Sequence, residues 1–174
     1  MGASERYLSR PWLRHYQEGV PASVEIPLKS VTRMFDEATE RAPEGTAVVF
    51  YGRSITYREL REASDRFACA LAELGVKKGD RVALYLVNSP QFIIAYFAAL
   101  KCGATVTPIS PVYTSHELRY QLEDSGARAV VCQDALYEKV AKSGVVTDLL
   151  VVTNVAEYLP AFKRLFSRKI ETPS

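Results

Sequence analysis

The 174-residue sequence predicts an α/β fold, a parallel sheet flanked by helices, with a short β-hairpin near the start. Three observations carry this expectation. From Thr56 onward apolar runs recur between amphipathic segments, the segments open on capping residues, and each closes on a glycine before the next apolar run. The run Val82-Ala83-Leu84-Tyr85-Leu86-Val87 does not alternate, as a strand covered on both faces requires. Alternating helices and strands then imply layered α/β architecture with right-handed crossovers.

An arm over residues 1–29, punctuated by Pro11, Pro21 and Pro27, shows neither helical nor strand periodicity and reads as extended. Ser30 is placed to cap a helix from Val31 to about Arg41, with Val31, Met34, Phe35 and Ala38 on one face and Pro43 beyond its end. Ala47-Val48-Val49-Phe50 and Ser54-Ile55-Thr56, around Tyr51-Gly52-Arg53, form the hairpin. Thr56 and Glu59 fit a capping box, and Leu60, Ala63, Phe67, Leu71 and Leu74 recur at helical spacing until Gly75.

The strand Val82–Val87 follows. Ser89, with Pro90 behind it, opens a helix that runs to Cys102 and stops at Gly103. Ala104–Ile109 is the next strand. Thr114 and Glu117 form a second capping box, Gly126 closes that helix, and Ala127–Cys132 is a strand. Asp134 caps a helix over Ala135–Lys142, and Leu149–Thr153 is the last strand. The α/β subdomain thus spans 30–153. Residues 154–174 form an amphipathic basic tail.

In that tail Leu159, Phe162, Phe166 and Ile170 share helical spacing, interleaved with Lys163, Arg164, Arg168 and Lys169. Packing on further domain parts is preferred over an anionic membrane surface, because amphipathic stretches usually face a core.

Composition narrows the function. Forty-eight per cent hydrophobic and 24% charged residues support a packed core, and 22 basic against 20 acidic residues leave a net charge of +2. That balance gives no general electrostatic case for nucleic acid. The longest strongly apolar run, Phe92 to Leu100, falls short of the roughly 20 residues of a membrane span. Cys69, Cys102 and Cys132 match no zinc or redox spacing and read as reduced, buried thiols of a cytoplasmic protein.

Ligands in parallel α/β sheets sit beyond the carboxyl ends of the strands, here Asn88-Ser89, Ser110-Pro111 and Gln133-Asp134. A nucleotide triphosphate needs close backbone amides, but the nine glycines spell neither GxGxxG nor GxxxxGK. The nearest substitute is the amino end of the helix after Ser89. Capping by the Ser89 side chain accounts for the same residues and is the reading adopted.

His15 and His116 are too few for a metal cluster, and His116 reads as an exposed first-turn residue. Glu123-Asp124 and Asp36-Glu37 read as solvated helix faces. Ser54, Ser64, Ser110, Ser125 and Ser143 lack a GxSxG setting. No catalytic residue and no metal ligand are assigned, and the cofactor-binding residues stay unidentified.

Ile55-Thr56-Tyr57-Arg58-Glu59-Leu60, then Gly79-Asp80-Arg81-Val82-Ala83, then Leu100-Lys101-Cys102-Gly103-Ala104-Thr105-Val106-Thr107-Pro108-Ile109 resemble the opening of the acyl-adenylate-forming ligases, the AMP-dependent synthetase superfamily. Pro11-Trp12-Leu13, Glu18-Gly19-Val20-Pro21, Pro111-Val112-Tyr113-Thr114, Gln121 to Ala127 and Glu157-Tyr158-Leu159-Pro160 are similar to the long-chain fatty acid CoA ligase branch.

The resemblance implies that the intact enzyme activates a fatty acid with ATP and magnesium to acyl-AMP, then transfers the acyl group to coenzyme A. It implies further that the phosphate loop, the adenine motif, the ribose-binding aspartate and the adenylation lysine follow Ser174. These 174 residues, as the first part of the large amino-terminal domain, are then expected to bind no cofactor tightly and to be inactive alone.

A fatty acid is the implied substrate, the membrane association is at most peripheral, and a homodimer through the amino-terminal arm is compatible with the family. Two other readings stay open: an aryl- or short-chain acyl-CoA ligase, and a stand-alone non-catalytic α/β binding module.

Overall fold

The computed structural model describes residues 3–160 and Lys163. It divides into two compact units, 1–30 and 31–174. The first holds a helix, α1 (Ala3–Leu8), and a 3-10 turn over Pro11–His15. The arm is therefore not extended throughout. Local bonding explains the difference: Ser9 and Arg10 amides donate back to Glu5 and Tyr7, and the Tyr7 and Trp12 rings meet at 5.2 Å.

The second unit begins with α2 (Val31–Arg41) and the hairpin β1 (Thr46–Phe50) and β2 (Arg53–Thr56), paired antiparallel. The buried face of α2 centres on Phe35 and Thr39, whereas Val31 and Met34 of the expected face are exposed. Phe35 stacks on Phe97 and joins Ile55, Leu60 and Ile94 in a small core between the hairpin and the helices.

Helix α3 (Tyr57–Glu73) starts at the expected capping box, with Thr56 Oγ1 accepting from the Glu59 amide and the Glu59 carboxylate accepting from the Thr56 amide. Then come β3 (Arg81–Tyr85), α4 (Pro90–Lys101), β4 (Thr105–Pro108), α5 (Ser115–Ser125) and β5 (Ala129–Gln133). A 3-10 turn (Asp134–Leu136), α6 (Tyr137–Ser143) and β6 (Leu149–Thr153) complete the unit.

Asp134 thus opens a 3-10 turn, and the α-helix begins only at Tyr137. The reason is that its carboxylate takes the adjacent Ala135 amide and Asn154 instead of an amide two or three residues on. A further 3-10 turn over Val155–Tyr158 replaces the start of the expected tail; beyond it Leu159, Pro160 and Lys163 are described, and the other residues of that amphipathic stretch lie outside the described residues.

The four parallel strands are ordered β4-β3-β5-β6. Val82, Leu84 and Leu86 point to one face, against Leu71 of α3 and Ala95, Ala98 and Ala99 of α4. Ala83 and Tyr85 point to the other, against Leu118 and Leu122 of α5 and Val140 of α6. Strand β3 is therefore buried on both sides, as its unbroken apolar run requires.

At Gly103, which follows α4, φ is +74° and an added Cβ would lie 3.0 Å from Lys78 Cγ. Both the turn and the close approach need glycine there.

The amino ends of the strands are stitched by Arg128, whose guanidinium donates to Gly75 O at 2.6 Å, to Asp80 Oδ2 at 2.9 Å and to Asp148 Oδ2 at 2.9 Å. The Lys77 amide and then Arg128 hold the Asp80 carboxyl below the ordinary aspartate value of 3.8, against the opposing effect of burial. A folded-state value below the unfolded one means that this stabilisation is present above the unfolded value and is lost as pH falls through the folded value.

Two outcomes follow from this packing. Leu71 is fully buried between α3 and the sheet, so Leu71→Ala should lower the unfolding free energy measured in urea by about 2–5 kcal/mol. Asp80→Asn should lower the melting temperature at neutral pH, and its melting curve should converge on that of the unchanged protein as the pH falls below about 4.

Candidate functional site at the carboxyl ends of the strands

The chain leaves β3 on one side to form β4 and then crosses back to form β5 beside β3. Strand order reverses there, and in open α/β sheets such a switch point opens a crevice beyond the carboxyl ends. The segments expected at those ends take two different arrangements.

Ser110-Pro111, after β4, lies in a clamped loop. The Tyr85 hydroxyl, reaching from β3, donates to Tyr113 O at 3.1 Å, and Lys139 Nζ donates to the same carbonyl at 2.8 Å and to Pro111 O at 3.3 Å. Burial pushes the Tyr85 hydroxyl above its ordinary value, so it acts here as a neutral donor.

The ends of β3, β5 and β6 meet in a second network. Gln91 Nε2 donates to Asn154 O at 2.8 Å, and Asn154 Nδ2 donates to Asp134 Oδ2 at 2.5 Å. Asn154 Oδ1 accepts from the Ala156 amide at 2.7 Å. Three buried polar atoms in this region have no hydrogen-bond partner among the described residues: Ser89 Oγ, Gln91 Oε1 and Gln133 Oε1. Ser89 and Gln91 are only 6% and 7% exposed. The donation to Asn154 fixes the Gln91 amide, which leaves its oxygen as an acceptor facing no donor.

Gln91 also lines a groove of about 400 Å³ between α3, α4, β5 and β6, with Phe67, Ile94, Val131 and Val151 as its apolar wall and Tyr158 at its rim. Burial is the main influence on the Tyr158 hydroxyl and raises it; the Arg53 guanidinium, 5.3 Å from the ring centroid, opposes that shift.

The capping reading of Ser89 is corrected by this geometry. Ser89 occupies the N-cap position, but its side chain makes no capping bond, because it is turned into the protein with its hydroxyl buried. The helix end is also a poor phosphate cradle, since Pro90 has no N–H and the Phe92 amide already donates to Ser89 O at 3.1 Å. The atoms left over are acceptors and a hydroxyl, which suit N–H or O–H donors better than an anion. Residues at this crevice therefore do not fit a triphosphate, and no catalytic step is assigned to them.

The other candidates are dispersed. His116 is exposed on α5, and Glu123 is exposed and paired with Arg119 at 2.8 Å. Asp36 pairs with Lys101 at 3.4 Å and Glu37 with Arg33 at 3.1 Å. Ser64 and Ser143 donate to the carbonyls of Leu60 and Val140. Among the described residues no three His, Cys, Asp or Glu side chains converge as a metal site.

Cys69 is exposed and Cys102 half-buried, so only Cys132 matches the expectation of a buried thiol; burial, reinforced by Asp134, pushes it up to about 12. Sequence reasoning placed Gln133 at a strand end but missed Gln91 and Asn154. Their signal was an amide side chain set inside or at the end of an apolar run.

With this geometry in view, the comparisons define the class. The AMP-binding enzyme family matches residues 35–170 of the chain, and the chain belongs to that family. A long-chain-fatty-acid–CoA ligase of Bacillus subtilis is 34% identical over 158 residues, which cover 90% of this chain and 28% of that protein. The chain thus spans little more than a quarter of that relative.

A long-chain-fatty-acid-CoA ligase structure from Archaeoglobus fulgidus superposes with a TM-score of 0.68 at 28% identity, covering 82% of this chain and 32% of that one. A benzoate CoA ligase from Burkholderia xenovorans LB400 gives a TM-score of 0.68 at 29% identity, covering 72% and 26%. The expected α/β class, its parallel sheet and its hairpin are those of adenylate-forming enzymes.

The clamp on the β4 loop is directly testable. Tyr85→Phe should leave the fold intact and cost about 1 kcal/mol of stability. Hydrogen exchange should speed up at residues 110–114, with little change in α3.

Proposed function

We propose that this chain is the opening part of the large domain of a long-chain fatty acid CoA ligase. The intact enzyme would activate a fatty acid with ATP and magnesium to acyl-AMP and pass the acyl group to coenzyme A. The observation that carries the reading is the 34% identity over 158 residues with a long-chain ligase, joined to the matching fold.

The part described here supplies the sheet and its helical cover, not the chemistry. Neither the clamped loop nor the crevice offers a phosphate cradle, so the 174 residues alone are proposed to be inactive. The fatty acid partner, the cytoplasmic setting and a peripheral contact with lipid belong to the same proposal. Among the described residues no helix is long and apolar enough to cross a membrane.

An aryl acid as substrate is the second reading, favoured by the benzoate ligase whose TM-score equals that of the long-chain enzyme. The greater coverage of this chain by the long-chain structure, 82% against 72%, favours the fatty acid.

ATP–pyrophosphate exchange separates these readings. The isolated chain should show no acid-dependent exchange above background, and a protein extended to the length of its relatives should show exchange that depends on a long-chain fatty acid and not on benzoate. Exchange by the isolated chain, or a preference for benzoate, would overturn the proposal.

A further inference from the structure

Two of the three thiols lie together outside the crevice. Cys69 is exposed on the last turns of α3, and half-buried Cys102 caps the carboxyl end of α4. Contacts between these helices advance in step: Lys101 pairs with Asp65, and the next residue, Cys102, donates its Sγ–H to Ala68 O at 3.3 Å. The helices therefore run side by side in the same direction.

Ala68 is peptide-bonded to Cys69, so the Cys102 sulfur lies against the backbone that carries the other thiol. Asp65 and Cys69 are four residues apart and share one stripe of α3. The stripe that meets Lys101 thus presents Cys69 one turn later, beside the end of α4. Burial chiefly, and the nearby Cys69 thiol in addition, hold Cys102 above its ordinary value. Cys132 belongs to the core on the opposite face of the sheet.

We propose that Cys69 and Cys102 form a reversible disulfide tying the end of α3 to the end of α4, with a small-molecule disulfide of the oxidised-glutathione type as the oxidant. The exposed Cys69 thiolate attacks one sulfur of the oxidant, which forms a mixed disulfide and expels one glutathione thiolate. Cys102, deprotonated, then attacks the Cys69 sulfur and expels the second. The two cysteine protons end on two glutathione thiols, and the two electrons reduce the oxidant. The segment closed by the bond contains β3 and α4, so oxidation pins the central strand and its cover to α3. Cys69 is the accessible thiol and Cys102 the resolving one, a common arrangement in redox-sensitive pairs.

The test incubates the purified chain with oxidised glutathione and reads intact mass, peptide linkage and melting temperature. The expected product is about 2 Da lighter than the reduced protein, with Cys69 and Cys102 peptides linked, a raised melting temperature and full reversal by dithiothreitol. Cys102→Ser should instead stop with one glutathione on Cys69, and Cys132→Ser should cross-link like the unchanged chain. The proposal is overturned if the unchanged chain keeps glutathione on Cys69, if the link involves Cys132, or if Cys69 stays reduced while urea-unfolded chain reacts.

Discussion

Strand β3 has to be dry on both faces, and the rest of the second unit follows from that requirement. An apolar run with no alternation cannot leave one side in water, so helices must lie on each face of the sheet. Leu71, Ala95, Ala98 and Ala99 cover one side of β3, and Leu118, Leu122 and Val140 cover the other. The small alanines of α4 let that helix approach closely, while Tyr85 fills the opposite side and still reaches a carbonyl with its hydroxyl.

The two ends of the sheet are treated differently. At the amino ends, Asp80, Arg128 and Asp148 satisfy one another and the Gly75 carbonyl, although the exposed Asp148 limb contributes little. At the carboxyl ends, Ser89, Gln91 and Gln133 retain unmet polar atoms. The amino-end network ties three strands together, whereas the carboxyl ends leave buried polar atoms with no partner among the described residues.

Most of the architecture was legible because local signals and global layering agreed. Thr56 with Glu59 and Thr114 with Glu117 wrote both capping boxes, and Gly126 and Gly144 wrote two left-handed helix ends. Legibility failed where a side chain chose a distant partner over its own backbone. Ser89 looks like a cap until its hydroxyl is seen buried, and Asp134 looks like a helix start until Asn154 claims its carboxylate. Periodicity alone also misjudged burial at Val31, Met34 and Leu74, which have the right spacing but no neighbouring element in the described structure to cover them. The crevice was legible as a location, from the strand ends, and illegible as a network, since Gln91 and Asn154 are 63 residues apart.

Native-state hydrogen exchange tests the central place of β3 most directly. The account predicts that amides of Val82 to Tyr85 exchange only through global unfolding and rank with the slowest in the chain, alongside β5. Exchange of those amides as fast as that of the β1–β2 hairpin would contradict it.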